Sequence, residues 1–287
     1  MNMKGGIFPP IAWWLRGPRL YFLHIPKTAG LSVTQWLSDR LGAEGKCPAM
    51  VWDQLVALDR RDIRRCKWFA GHFGVELESF LRHQLSTVTV LRDPVARTVS
   101  HYAHVARRPL HPHHWRVSRG SQSLDAFVKD RDNWSMIENF QARYLARGAV
   151  SFKGYAGRYD STAAKVNRLA VLSEDARYLL DPVYVRESAI EALQHRVRVV
   201  GTTEQLRDFL CRVAEAFRLR PLAEVEAIPI ENAAPVPAAS ELAPATLEII
   251  HHLTAIDREL YDWVKLQSGP SHNTPRLQVK DPALAAR

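Results

Sequence analysis

The segment His24-Ile25-Pro26-Lys27-Thr28-Ala29-Gly30-Leu31-Ser32 concentrates groups that hold an anion. Lys27 offers a point charge for a phosphate. Thr28 and Ser32 offer hydroxyl donors. Gly30 permits close backbone approach and a positive φ. Ala29 and Leu31 lie between them and contribute main-chain amides. The lysine precedes the glycine, so the string is not the G-x-x-x-x-G-K-[ST] phosphate loop, and ordinary ATP or GTP chemistry is disfavoured. Taken alone, the same string also describes a tight turn with an exposed lysine.

A second group lies at Leu91-Arg92-Asp93-Pro94-Val95-Ala96-Arg97-Thr98-Val99-Ser100-His101-Tyr102. Arg92 supplies a fork of donors and Ser100 a hydroxyl from the next element, a pairing suited to a phosphate. The plainer reading of Arg92-Asp93 is a surface ion pair of little worth. Between the two groups stands Gly71-His72-Phe73. An imidazole titrates near neutrality, which suits His72 to a general base. Glu76 and Glu78 are alternatives or orienting partners.

These residues fall where an α/β fold would place them. Residues 19–25 form a short apolar run suited to a buried parallel strand. A small-residue turn follows, then a helix over 32–41 with Val33, Trp36, Leu37 and Leu41 on one face. Such a strand, turn and helix aim free N–H groups and the positive helix end at an anion. Further strands are predicted at 67–71, 86–91 and 196–201. His72 and Arg92 follow the second and third, and α/β sites gather at such strand ends. Pro94 suits a helix start. Helices are also predicted over 122–146, 173–195, from Thr203, and over 245–266, with a loop over 227–246. The fold class is α/β, a P-loop-like three-layer fold with a central, mainly parallel sheet flanked by helices. The domain occupies 19–266, after a segment at 1–18 and before a polar tail at 267–287 expected to be disordered.

Bulk properties narrow the partners. The 287 residues are 46% hydrophobic and 24% charged, enough for a sizeable core. The net charge of +9 attracts anions in general. Cys47, Cys66 and Cys211 form no CxxC pair, which argues against a zinc knuckle or a thioredoxin-type site. No run of 18 apolar residues occurs, and the first 18 residues lack a signal pattern, so a soluble cytoplasmic protein without membrane insertion is expected. His101, His104, His111, His113 and His114 cluster without Cys or carboxylate partners, so a basic surface is favoured over a metal site. No nucleic-acid module is visible.

The string from His24 to Gly30 closely resembles the 5'-phosphosulfate-binding loop of sulfotransferases that use PAPS (3'-phosphoadenosine 5'-phosphosulfate). The likeness is to the carbohydrate branch, such as the heparan sulfate 2-O and 6-O enzymes and their bacterial relatives. Where that branch continues Thr-Ser, this chain has Leu31-Ser32, one hydroxyl fewer. Arg92 and Ser100 match the family's 3'-phosphate element, and His72 its catalytic base. Glu138 to Leu145 resembles a family helix near the acceptor cleft, with Ala142 where Thr is usual. Asn232 falls where relatives carry a loop over the cofactor, and Asp257, Leu260 and Tyr261 fit the closing helix. The resemblance implies transfer of a sulfuryl group from PAPS to a hydroxyl, a glycan being the favoured acceptor, with no metal. A lipid, a small metabolite or a protein tyrosine remains open as acceptor. A P-loop-like kinase and a non-catalytic nucleotide- or glycan-binding module are the rival functions.

Overall fold

The computed structural model describes residues 18–109, 114, 117, 123–146, 181–223, 226, 228 and 241–267. Four strands form one sheet: β1 (Arg19–Leu23), β2 (Trp68–Gly71), β3 (Leu85–Leu91) and β4 (Val197–Thr202), in the order β2-β1-β3-β4. Every pairing is parallel; in register, Leu23 stands opposite Gly71 on one side and Thr89 on the other. β1, β2 and β3 are buried throughout apart from partly buried Arg19, which is why they read as continuous apolar or β-branched runs rather than alternating ones.

Alternation within the strands divides the core. Tyr21, Leu23 and Phe69 face one layer, with α2 (Trp52–Ala57), α7 (Phe140–Leu145), α8 (Pro182–His195) and α11 (Ala255–Gln267). Leu20, Phe22, Trp68, Val88 and Val90 face the other, against α1 (Gly30–Leu41) and α9 (Leu206–Phe217). A third apolar cluster joins α5 (Pro94–Ala106), α6 (Leu124–Lys129) and α10 (Pro244–Leu253). The helices α3 (Arg60–Arg65) and α4 (Glu76–Leu81) flank β2 in sequence. The result is the expected three-layer α/β arrangement.

Several boundaries differ from the sequence reading. β1 ends at Leu23, and α1 begins at Gly30 rather than Ser32, so part of the turn is the first helical turn. The single helix expected over 122–146 is three pieces: α6, a 3-10 stretch at Arg131–Met136, and α7. Asp130 ends α6 and accepts a hydrogen bond from Asp132 N, while Asn139 turns left-handed (φ 41°) before α7. The local bond of Asp130 competes with helix continuation. The helix expected over 245–266 is likewise two, α10 and α11, broken at Thr254, whose hydroxyl donates to Ile250 O (2.7 Å). Pro244 opens α10 inside the range expected to be loop. Of the helix expected over 173–195, α8 accounts for the described part. The segment 1–17, the tail from 268, Asn232, His111 and His113 lie outside the described residues.

Candidate active site

β1 leads through α1 toward β2 on one side of the sheet, whereas β3 leads toward β4 on the other. The carboxyl ends of the adjacent strands β1 and β3 therefore flank a topological switch point, the place where open α/β sheets bind ligands. The two sequence groups meet there. Arg92 follows β3 and donates from Nη1 to the carbonyl of Lys27 (3.2 Å), beyond the end of β1. Thr89 Oγ1 donates to Leu23 O (2.8 Å), fixing the two strand ends together just beneath.

The loop between β1 and α1 is shaped by backbone strain and by one missing side chain. The positive φ expected at Gly30 falls instead at Lys27 (75°) and Ala29 (59°). Left-handed backbone costs roughly 1–2 kcal/mol at each residue that is not glycine. Gly30 is required for space: a Cβ there would lie 1.6 Å from His24 Nε2. Thr28 is buried and donates its hydroxyl to Ile25 O (2.9 Å), so this side chain braces the turn. Ala29 caps α1 without a side-chain hydrogen bond, and the first turn of α1 holds no acidic residue. The first amides of α1, at Gly30, Leu31 and Ser32, thus open a 12-residue helix with no side-chain cap. Ser32 is buried, and Leu31 is 45% exposed.

Charge accumulates at the same place. Lys27 is brought down to about 8, by burial first and then by the positive charges of Arg92, Arg107, Arg108 and Arg97. Burial also lowers Arg92. Cations gathered at an uncapped helix start form a site that an anion would relieve.

His72 stands at the other flank of β1. Its Nδ1 lies 2.6 Å from His24 O, and a carbonyl only accepts, so Nδ1 carries the hydrogen and Nε2 is the basic nitrogen of the neutral ring. The main chain is fixed as well: His72 N donates to Met50 O (2.7 Å), and His24 N to Gly71 O (3.0 Å). A Cβ on Gly71 would come within 2.6 Å of Met50 O, so glycine is needed ahead of the histidine. The His24 ring lies 4.4 Å from that of His72 and stacks on Phe22 (5.5 Å). Burial, then the charges of His72, Lys27 and Lys46, hold His24 well below the usual imidazole range, so it is neutral.

Arg92 is held at its main chain by a residue that sequence reasoning did not connect to it. Gln141 Oε1 accepts from Arg92 N, and Gln141 Nε2 donates to Arg92 O, both at 2.9 Å. Asp93 caps α5 by accepting from Ala96 N (2.9 Å) and pairs with Arg258 (2.6 Å). Its hydrogen bonds thus go to α5 and Arg258, while its charge, after that of Glu204, raises the pKa of Arg92 against the larger effect of burial. Ser100 is partly buried on α5, the helix that directly follows Arg92. The structure thus brings Lys27 and Arg92 into contact and sets His72 against the backbone of the same loop.

Other candidates sort differently. Glu76 is buried and Glu78 partly buried in the first turn of α4. His101 packs edge-on against Phe140 and lies 3.3 Å from Arg97, whereas His114 Nδ1 is directed at Val105 O. No group of three His, Cys, Asp or Glu suited to a metal occurs among the described residues. Among those residues, no helix is long and apolar enough to cross a membrane. Ala142 is buried in α7, its amide donating to Asp257 (2.7 Å).

No family model matches the chain. Over 111 residues it is 32% identical to a protein-tyrosine sulfotransferase from Arabidopsis thaliana, covering 37% of this chain and 22% of that protein. The chain therefore spans about a fifth of the length of the relative it matches. The name of that relative specifies protein tyrosine as its acceptor and mentions no carbohydrate.

Proposed function

We propose that the protein transfers the sulfuryl group of PAPS to a hydroxyl acceptor by in-line displacement. The observation that carries this reading is the Arg92–Lys27 contact at the switch point, which brings the two candidate anion-binding strings together at the ends of β1 and β3. In this reading Lys27 and the amides of Thr28 to Ser32 hold the 5'-phosphosulfate. Arg92 and Ser100 hold the 3'-phosphate, which distinguishes PAPS from an ordinary adenine nucleotide. The fit is electrostatic: Lys27 is crowded by cations three residues ahead of an uncapped helix start, and the donor brings several negative charges.

His72 Nε2 takes the proton of the acceptor hydroxyl. The acceptor oxygen forms the new bond to sulfur, and the bond from sulfur to the 5'-phosphate oxygen breaks. Lys27 and the loop amides stabilise the charge arriving on that phosphate, positioning and electrostatics being the main contributions, as in phosphoryl transfer. The tautomer set by His24 O supports His72 in this role, since it puts the basic nitrogen on the side of the ring away from that carbonyl.

The acceptor has two readings. The loop motif favours a carbohydrate, in keeping with a net charge of +9 suited to acidic glycans. The relative named for protein tyrosine favours a phenolic hydroxyl on a peptide. Labelled PAPS offered with polysaccharides, oligosaccharides, tyrosine peptides and small alcohols separates them. Label in a saccharide supports the first and label in a peptide the second. Transfer to none of them, alongside phosphate transfer from ATP, would support a kinase instead.

A further inference from the structure

The end of β3 is gripped from outside the sheet by a side chain acting as a strand would. Gln141 is 0% exposed, and its amide bonds both the N–H and the C=O of Arg92, the pairing a ladder neighbour makes. Gln141 is fixed in turn. Its own N donates to Asp257 Oδ2 (3.1 Å), and Ala142 N donates to Asp257 Oδ1 (2.7 Å). In return, Asn139 Oδ1 accepts from Ile256 N (2.9 Å) and Asp257 N (3.4 Å). The starts of α7 and α11 thus cap each other, and the next residue, Arg258, holds Asp93.

Asp257 is 0% exposed, and burial raises its pKa despite the two amides. Apolar side chains would pack α7 on α11 without desolvating a carboxylate, so compactness alone does not explain it. What the polar chain does achieve is a fixed main chain at Arg92. The guanidinium is held at the other end, by Lys27 O.

We infer that Gln141 is a positioning residue for the nucleotide 3'-phosphate: it fixes the main chain of Arg92, and Asp257 fixes Gln141. This rests on Arg92 being the 3'-phosphate ligand. A binding group must be held to within about half an ångström to keep its hydrogen bonds, and supporting residues supply that precision.

The test uses PAP (adenosine 3',5'-bisphosphate) and 5'-AMP, which differ by the 3'-phosphate alone. Gln141→Met keeps side-chain length and removes both bonds. It should weaken PAP roughly tenfold, and 5'-AMP less than about twofold. In the nucleotide-free protein it should also speed amide exchange at Arg92. Asp257→Asn should move the PAP preference in the same direction by a smaller factor, and carries the test should Gln141→Met fail to fold in a thermal melt. Unchanged binding of both nucleotides, or equal losses for both, overturns the inference. Wild-type protein that binds PAP no better than 5'-AMP removes the Arg92 assignment itself and the inference with it. That result is distinct from a normal wild-type preference that the variants leave intact.

Discussion

The two strand-to-helix junctions at the switch point are built in opposite ways. Between β1 and α1 everything is local. Two left-handed residues, a threonine bonded three residues back and a glycine set against His24 shape the loop within seven positions of chain. Its helix has no side-chain cap and no acid in its first turn. Between β3 and α5 the support is remote. Asp93 caps the helix, Arg258 neutralises Asp93, and Gln141 and Asp257 fix the main chain from α7 and α11. One junction leaves its amides open and tolerates strain; the other encloses its amides and orients a side chain. The first is suited to stabilise charge that develops during reaction. The second is suited to select a charge already present in the ground state.

Four changes would break or sharpen that contrast. The largest effect is expected from His72→Ala, because the first junction also holds His72, the proposed base, through His24 O. Turnover should fall by about 10²–10⁴, with PAP binding largely intact. Near-normal turnover in a labelled-PAPS assay would remove His72 from the chemistry.

Lys27→Met should lower kcat by about 10²–10³, the usual loss for one donor to a developing anion. It should also raise the melting temperature of the nucleotide-free protein at pH 7. The sign follows from linkage. Lys27 titrates at about 8 when folded, below its ordinary value, so its charge destabilises the fold below pH 8. That penalty fades as pH rises from the folded toward the unfolded pKa, so the gain from Met should shrink over the same window. A bound phosphate raises Lys27 again, so PAP affinity should fall as pH climbs through 8, with proton uptake on binding. Calorimetry in buffers of different ionisation enthalpy reads that uptake. A melting temperature lowered by Lys27→Met would contradict the picture of a strained, cation-crowded junction.

Arg92→Ala should weaken PAP roughly 10- to 100-fold, from the loss of charge-assisted hydrogen bonds. Its effect on 5'-AMP should be far smaller. Equal losses would show that the second junction does not select the 3'-phosphate. The smallest effect belongs to Leu31→Thr. Leu31 is exposed in the first turn of α1, and a hydroxyl there should tighten PAP by about two- to tenfold. Titration of the variant beside wild type checks it, and weaker binding would show that the leucine serves the site.

The same contrast explains what could be read from the chain. The β1–α1 junction is contiguous, so its strand, turn and helix are legible in one string, as is the strand end carrying Arg92. Gly30 reads from the sequence as permitting close approach and a positive φ; in the structure it makes room for His24, while Lys27 and Ala29 take the positive φ. Gln141 and Asp257 were not legible as partners, because they act on Arg92 across 49 residues and on each other across 116. Apolar periodicity alone merged α6 with α7 and α10 with α11. The breaks come from Asp130, Asn139 and Thr254, whose side chains bond the backbone and which carry no apolar signal.

The central claim, that the crevice between β1 and β3 is a PAPS site, is tested most directly by calorimetric titration of the wild-type protein with PAP and with 5'-AMP. At least about a tenfold preference for PAP is expected, the value of one charge-assisted contact to the 3'-phosphate. Equal affinities, or no binding of either nucleotide, would contradict it.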